Sequence, residues 1–283
     1  QKYIANKHVD LKAVVDTDQS NFSNITDNKV KKLKKYQDII EDVDAVSIVT
    51  PTQTHYKVAK YFLENNKHVL LEKPMTETVA QAKTLNNIAK KNKCILQIGH
   101  LEQFNPAIRK LRKSSCKPQF IEVHRLCQFN PRANDVDVVL DLMIHDIDIV
   151  LSLINKKIKN IEVSGKSILT SLTDIANVRI KFEDDIIANL TASRISTKNE
   201  RKMRIFSDNS YYSIDFINSN LKQVTKNKKN NFKIKDFKFK KTDVLHEEIN
   251  NFINTCLGIE KSMTTGISGE QALIVAKKIT RNF

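Results

Sequence analysis

Asp141 and His145 lie four residues apart in the run Asp141-Leu142-Met143-Ile144-His145-Asp146-Ile147-Asp148. In a helix that spacing puts both side chains on one face. A carboxylate beside an imidazole holds the ring's orientation and raises its basicity, which is what removal of a hydroxyl proton needs as hydride leaves the same carbon. A helix-capping Asp141 and a satisfied core His145 are the plainer alternatives for the same residues. A metal is not expected, because no third ligand follows at convincing spacing. The four cysteines, Cys94, Cys116, Cys127 and Cys256, stand far apart with no CxxC pair, so neither zinc nor a disulfide framework is expected. A second candidate is Lys73 in Glu72-Lys73-Pro74, directly after an apolar run. Proline cannot continue a sheet ladder, so the chain must leave there with Lys73 turned toward a crevice. Partly desolvated and near a positive charge, such a lysine loses proton affinity and is able to polarise a substrate hydroxyl or relay its proton. A surface lysine at a strand end is the alternative.

The elements that must position these residues alternate in type. Leu11–Val15, Ala45–Val49, His68–Leu71 and Cys94–Ile98 read as strands ending at Asp16, Thr50-Pro51, Glu72-Lys73-Pro74 and Gly99-His100. Between them, Thr54–Asn65 and Thr76–Lys91 carry apolar residues at helical spacing, Val58, Phe62 and Leu63 in one and Val79, Ala82, Leu85 and Ile88 in the other. This order builds a parallel sheet with crossover helices, whose functional residues gather at the strands' carboxyl ends. Asp16 fits a place there as the acid that accepts hydrogen bonds from an adenosine ribose and repels a 2′-phosphate, which favours NAD over NADP; a turn-forming aspartate is the even alternative. A dinucleotide domain opens with a strand, a glycine-rich turn and a helix, yet no glycine precedes Gly99. Gln1–Lys7 reads as the tail of that first helix, so roughly 15 to 20 residues of such a fold are expected to be absent.

After Gly99 the pattern changes. Helices are expected over Asn105–Arg112 and Val139–Leu153, and strands over Gln119–Cys127, Ile161–Ile168, Ile175–Phe182, Ile186–Ser193, Lys202–Phe206 and Tyr211–Phe216, with helices over Asp243–Leu257 and Gly269–Thr280 closing the chain. In Lys226–Lys241, Phe232 and Ile234, then Phe237 and Phe239, alternate with lysine, and the slip in phase predicts a turn or bulge near Lys235-Asp236. The net charge of +15 over 283 residues is diffuse, which favours a solvated lysine surface over a nucleic-acid site. The composition, 40% hydrophobic and 28% charged, is that of a globular protein. The most apolar region, Val136–Ile154, carries Asp141, His145, Asp146 and Asp148, so a membrane span is not expected, and Gln1–Lys7 has no apolar signal-peptide core. The cytoplasm is the expected location.

Four motifs in order, VTPTQTHYKVA, HVLLEKPMTETVAQA, QIGHLEQFNPA and DLMIHDIDIVL, resemble the glucose-fructose oxidoreductase, inositol dehydrogenase and rhizopine-catabolism (Gfo/Idh/MocA) family from end to end. The resemblance implies a Rossmann domain, a second α/β domain whose open, largely antiparallel sheet serves substrate binding and oligomer contacts, and NAD(P) as cofactor. Lys73 matches the family's EKP lysine, and Asp141 and His145 its DxxxH pair, with His145 as acid/base. Thr50, Pro51 and His55 match the loop beside the dinucleotide, Glu72 the strand-end acid, and His100, Phe104 and Asn105 a segment lining the substrate cleft. Where many relatives carry glycines before the DxxxH aspartate, this chain has Asp137-Val138-Val139-Leu140, which would reshape the pocket entrance. The stretch from Arg125 through Arg132 to the DxxxH pair looks closer to the branch that oxidises the 3-hydroxyl of UDP-N-acetylglucosamine, with Arg125 and Arg132 placed to meet a diphosphate or to serve as surface arginines.

The expectation is therefore an α/β protein: the remainder of a Rossmann domain over residues 1–100, an α+β substrate and oligomer domain over 101–268, and a closing helix over 269–283 that packs back on the first domain. Its function would be NAD-dependent oxidation of a sugar hydroxyl carbon in a nucleotide sugar, in a homo-oligomer (dimer or tetramer). A dehydrogenase of a free sugar or inositol, and a catalytically silent or regulatory protein of the same fold, are the alternatives.

Overall fold

The computed structural model describes residues 2–114, 116–130, 136–226, 231–240 and 242–283. In chain order the elements are β1 (Ala13–Val15), β2 (Lys31–Leu33), β3 (Ala45–Ile48), α1 (Thr52–Glu64), β4 (His68–Leu71), α2 (Val79–Lys91), β5 (Leu96–Ile98), α3 (Pro106–Arg112), β6 (Pro118–Leu126) and α4 (Ile144–Leu153). There follow β7 (Ile158–Lys166), β8 (Ile175–Phe182), β9 (Ile187–Ser193), β10 (Glu200–Ser207), β11 (Ser210–Asp215), β12 (Asn220–Lys226), β13 (Phe232–Lys238), α5 (Val244–Cys256) and α6 (Gly266–Thr280).

The chain forms two compact units, one of residues 1–99 with 245–269 and one of residues 100–244 with 270–283. In the first, β3, β4 and β5 pair in parallel, as do β1 and β2. A doubly wound sheet places its opening strand between the second and the fourth. Among the described residues no strand joins β1 to β3, so the parallel layer stands in two pieces. The helix expected from Thr76 starts at Val79, because Thr78 accepts from the Gln81 main chain while the Gln81 side chain accepts from Thr78 N–H, a capping box.

The expected boundary at residue 268 is corrected. Ile249, Phe252 and Ile253 of α5 form an apolar cluster with Leu70 of β4, and Ile98 N–H donates to Thr264 O at 2.8 Å, so residues 245–269 complete the first unit. The closing segment is corrected too. Residues 270–283 cluster with the second unit, where Phe283 lies so close over Gly165 that a Cβ there would stand 2.2 Å from its ring.

The second unit is built on an eight-stranded sheet of order β13-β12-β11-β10-β6-β9-β8-β7. Every neighbouring pair is antiparallel except β6 and β9. Period-2 alternation sends Ile121, Val123, Ala188, Leu190, Met203 and Ile205 to one buried face. Two expectations change here. The stretch over Val139–Leu153 is not one α-helix: Val139–Met143 is a π-turn, and α4 begins only at Ile144. Nor is there a bulge at Lys235-Asp236, since β13 runs unbroken against β12 from Lys226↔Phe232 to Asn220↔Lys238. Phe232 and Ile234 instead face the side opposite to Phe237, over whose ring Lys110 Nζ sits at 5.0 Å. No helix among the described residues is long and apolar enough to cross a membrane.

Candidate active site

In the first unit the sequence-derived residues fall at carboxyl ends of parallel strands. Asp16 follows β1, its Oδ1 accepting from Asp18 N–H at 2.9 Å and its Oδ2 from the Asn21 amide at 2.9 Å. A carboxylate has about four acceptor sites, so the turn-forming role leaves room for two hydroxyl donors. Thr50 and Pro51 are exposed after β3, with the Thr54 hydroxyl bonded to Thr50 Oγ1 at 2.7 Å. After β4, the Glu72 carboxylate accepts from Lys73 N–H at 3.1 Å, and the Lys73-Pro74 peptide is cis. Gly99, after β5, passes close to Glu72: a Cβ on it would stand 2.9 Å from the Glu72 carboxyl group, which would have to turn aside. These ends, with an acid of spare capacity at one and a close backbone approach at another, fit a dinucleotide.

His55 departs from its expected part. It is 1% exposed, its Nδ1 lies 2.9 Å from Pro74 O and its Nε2 2.7 Å from Thr50 O. Each ring nitrogen faces a main-chain carbonyl, and the one that carries the proton donates to it, so the buried His55 ring stands between the turn after β3 and the turn after β4 rather than toward a ligand. Sequence reasoning also passed over Glu248. It is 1% exposed, neither carboxyl oxygen has a partner among the described residues, and burial, with the charge of Glu72 added, pushes its pKa up to about 8. The signal was its place in the apolar stripe Ile249, Phe252 and Ile253 of α5.

In the second unit Asp137 caps the helical entry, its Oδ1 accepting from Val139 N–H at 2.8 Å and Leu140 N–H at 3.0 Å. Asp141 sits in the π-turn and His145 in the first turn of α4, both half-buried. The turn between them is wider than the α-helix read from the sequence, closing an i→i+5 bond in which Ile144 N–H donates to Val139 O; a wider turn still leaves residues four apart near one face. His100, 1% exposed, meets His145 edge to face with ring centroids 6.2 Å apart. The rest of its segment is structural. Phe104 is a core residue at 1% exposure, and Asn105 caps α3 by accepting from Ala107 N–H at 3.0 Å; neither lines a cleft as expected. Gln103 donates to Asp148 and accepts from Arg112.

Arg125 is likewise corrected. It is 3% exposed, donates from Nε and Nη2 to both oxygens of Asp146 at 2.8 and 2.7 Å, and from Nη1 to Glu102 at 3.0 Å. Burial works against its charge, but the Asp146 and Glu102 carboxylates outweigh it, so the guanidinium stays charged, and it is buried with its fork turned to two carboxylates rather than to a diphosphate. Arg132 lies outside the described residues. Arg194, which the sequence reading did not single out, is buried against Asp174 at 2.9 Å. Its signal was its phase, continuing the buried Ala188, Leu190 and Ala192 of β9. All four cysteines are free and half-buried, and among the described residues no group of three or more His, Cys, Asp or Glu is placed to hold a metal.

Residues 1–100 match the model of an oxidoreductase family with an NAD-binding Rossmann fold, and residues 121–213 the GFO/IDH/MocA C-terminal domain. The chain is 34% identical over 247 residues to UDP-N-acetylglucosamine 3-dehydrogenase of Acidithiobacillus ferrooxidans, covering 85% of this chain and 79% of the relative. It is 28% identical over 176 residues to scyllo-inositol 2-dehydrogenase (NAD(+)) of Bacillus subtilis, covering 56% of this chain and 52% of that one. A solved structure of the Acidithiobacillus ferrooxidans enzyme superposes with a TM-score of 0.92 at 32% identity, covering 98% of this chain and 90% of that chain. An oxidoreductase domain protein from Kribbella flavida, at 16% identity and a TM-score of 0.87 over 96% of this chain and 88% of its own, shares the fold.

Proposed function

Because the chain belongs to the Gfo/Idh/MocA family of NAD-binding oxidoreductases, we propose that this dehydrogenase oxidises a ring hydroxyl of a nucleotide sugar of the UDP-N-acetylglucosamine kind to the ketone. The observation that carries the substrate class is the 34% identity extending over 79% of UDP-N-acetylglucosamine 3-dehydrogenase. NAD, when bound, supplies the hydride acceptor. Asp16 would hold the ribose hydroxyls, and Thr50, Pro51, Glu72 and Lys73 would border the cofactor from the strand ends.

Within the second unit His145 takes the proton of the substrate hydroxyl on an imidazole nitrogen, and Asp141 orients the ring and stabilises its charged form. The His100 ring, edge to face with His145, closes one side of the imidazole against water. The motif likeness, rather than any distance, assigns Lys73 the assisting role. The test is to incubate the full-length protein with NAD and either UDP-N-acetylglucosamine or an inositol, reading NADH absorbance and the keto product by mass spectrometry. Turnover of the nucleotide sugar is expected. Turnover of the inositol alone would replace this reading with the one the scyllo-inositol 2-dehydrogenase likeness favours, and turnover of neither would favour a silent protein of this fold.

A homo-oligomer belongs to the same proposal. On the solvent face of the large sheet, Phe120, Phe206, Tyr211, Val224 and Ile234 stand opposite one another on successive strands, with Phe206 39% and Ile234 65% exposed. A row of this kind is a self-complementary surface for a second copy. Light scattering behind size exclusion should give a dimer or tetramer that F206D converts to monomer.

A further inference from the structure

Two arginines are buried in the second unit where an apolar residue would ordinarily sit. On β6 the inner face reads Ile121, Val123, Arg125, and on β9, continued by one residue, it reads Ala188, Leu190, Ala192, Arg194. These strands are the parallel pair of the sheet, with Arg125 level with Ala192, so both guanidinium groups leave it at carboxyl ends. Each is 3% exposed.

The two hold opposite ends of one segment. Arg194 donates from Nη1 to Val136 O at 2.8 Å, from Nε to Asp174 at 2.9 Å and from Nη2 to Thr170 Oγ1 at 3.1 Å. Asp174 is itself fixed by the main-chain N–H groups of Ile168, Leu169 and Thr170, and Val138 N–H donates to Thr173 O at 3.0 Å. The chain entering the π-turn is thereby tied to the β9 end. At the other end Arg125 grips both oxygens of Asp146, the residue next to His145. Between Val136 and Asp146 lie the π-turn, Asp141 and His145.

We propose that Arg125 and Arg194 are positioning residues, a frame that sets where Asp141 and His145 stand for the proton transfer proposed above, on which this inference rests. A π-turn has an irregular hydrogen-bond ladder and does not by itself define the angle at which its side chains leave. A buried ion pair adds little stability over well-packed apolar groups of similar volume, so stability alone does not account for these arginines. A two-pronged guanidinium fork, unlike an apolar contact, fixes direction as well as distance. The frame also accounts for Glu102, which holds the third arm of Arg125.

The test compares R125K, which keeps the charge but loses the fork, with R125M/D146L, which removes both members of the pair; Arg201 Nη1 at 3.8 Å remains beside Glu102. Both are measured in the full-length protein with NAD and UDP-N-acetylglucosamine, and by the NMR ring resonances of His145, assigned through H145N with exposed His8 as reference. The expected result is a kcat about 100-fold lower with KM little changed, since a misplacement of about 1 Å in a catalytic group costs that much, together with displaced or doubled His145 resonances. If R125M/D146L does not fold, R125K carries the test alone. Wild-type kcat, or His145 resonances that do not move, overturns the frame. H145N with wild-type turnover defeats the proton-transfer reading itself, and the resonances alone then decide whether the arginines hold His145.

Discussion

Replacing Glu248 by glutamine should make the protein more stable, by an amount that grows with pH. The carboxyl group lies buried on α5 beside the charge of Glu72, with no partner among the described residues, and its pKa is pushed from 4.5 to about 8. Above about pH 4.5 the unfolded chain gives up this proton while the folded chain keeps it, so unfolding gains on folding until both have lost it near pH 8. At ~1.4 kcal/mol for each unit, the wild-type protein loses about 3 kcal/mol from this group by about pH 7 and at most about 5 kcal/mol by about pH 8. Glutamine has nearly the same shape and no charge to desolvate. E248Q should therefore match the wild type near pH 5 and exceed it by several kcal/mol near pH 8. Urea unfolding followed by far-ultraviolet circular dichroism across that range measures the difference directly. Curves for the two proteins that run parallel with pH, or a glutamine variant weaker throughout, would refute the argument that Glu248 is neutral and unsatisfied in the fold.

D174A should cost about 3 to 5 kcal/mol in urea unfolding, because it leaves Arg194 charged and buried without its acid. Burial alone would raise the Asp174 pKa, but the N–H groups of Thr170 and Ile168 hold it well below the usual carboxylate range. Its contribution is present above about pH 4 and should fade as pH falls below that, a fall that D174A lacks. G99A should weaken NADH binding in a fluorescence titration, since its Cβ would stand 2.9 Å from the Glu72 carboxyl group and turn that carboxylate aside. D16A should lower NAD affinity about 10-fold or more, the worth of hydrogen bonds to a charged group, and narrow the preference over NADP; equal affinity in D16A and wild type would remove Asp16 from the cofactor site.

The strand-end residues of the first unit were legible from sequence because each apolar run stops at a residue that cannot continue it, as at Glu72-Lys73-Pro74 and Gly99-His100. Such breaks depend on local chemistry alone, and Asp16, Thr50 and Lys73 stand at the strand ends inferred from them. Which neighbours a side chain meets is not local. Nothing in the run from Arg125 to Arg132 tells a diphosphate ligand from a core ion pair; only the approach of α4 to β6 delivers Asp146 to the Arg125 fork. His55 in the same way is kept from a ligand because the turns after β3 and β4 converge on its ring. The assignment of residues 245–269 to the first unit rests on Ile249, Phe252 and Ile253 meeting Leu70, a contact across more than half the chain that periodicity cannot carry. Sequence by itself determined the kinds of elements and where they break, because propensity and apolar alternation act over a few residues. The tertiary structure decided which charges are buried, which are paired and which remain for a ligand, because desolvation and hydrogen bonding depend on groups that only the fold brings together.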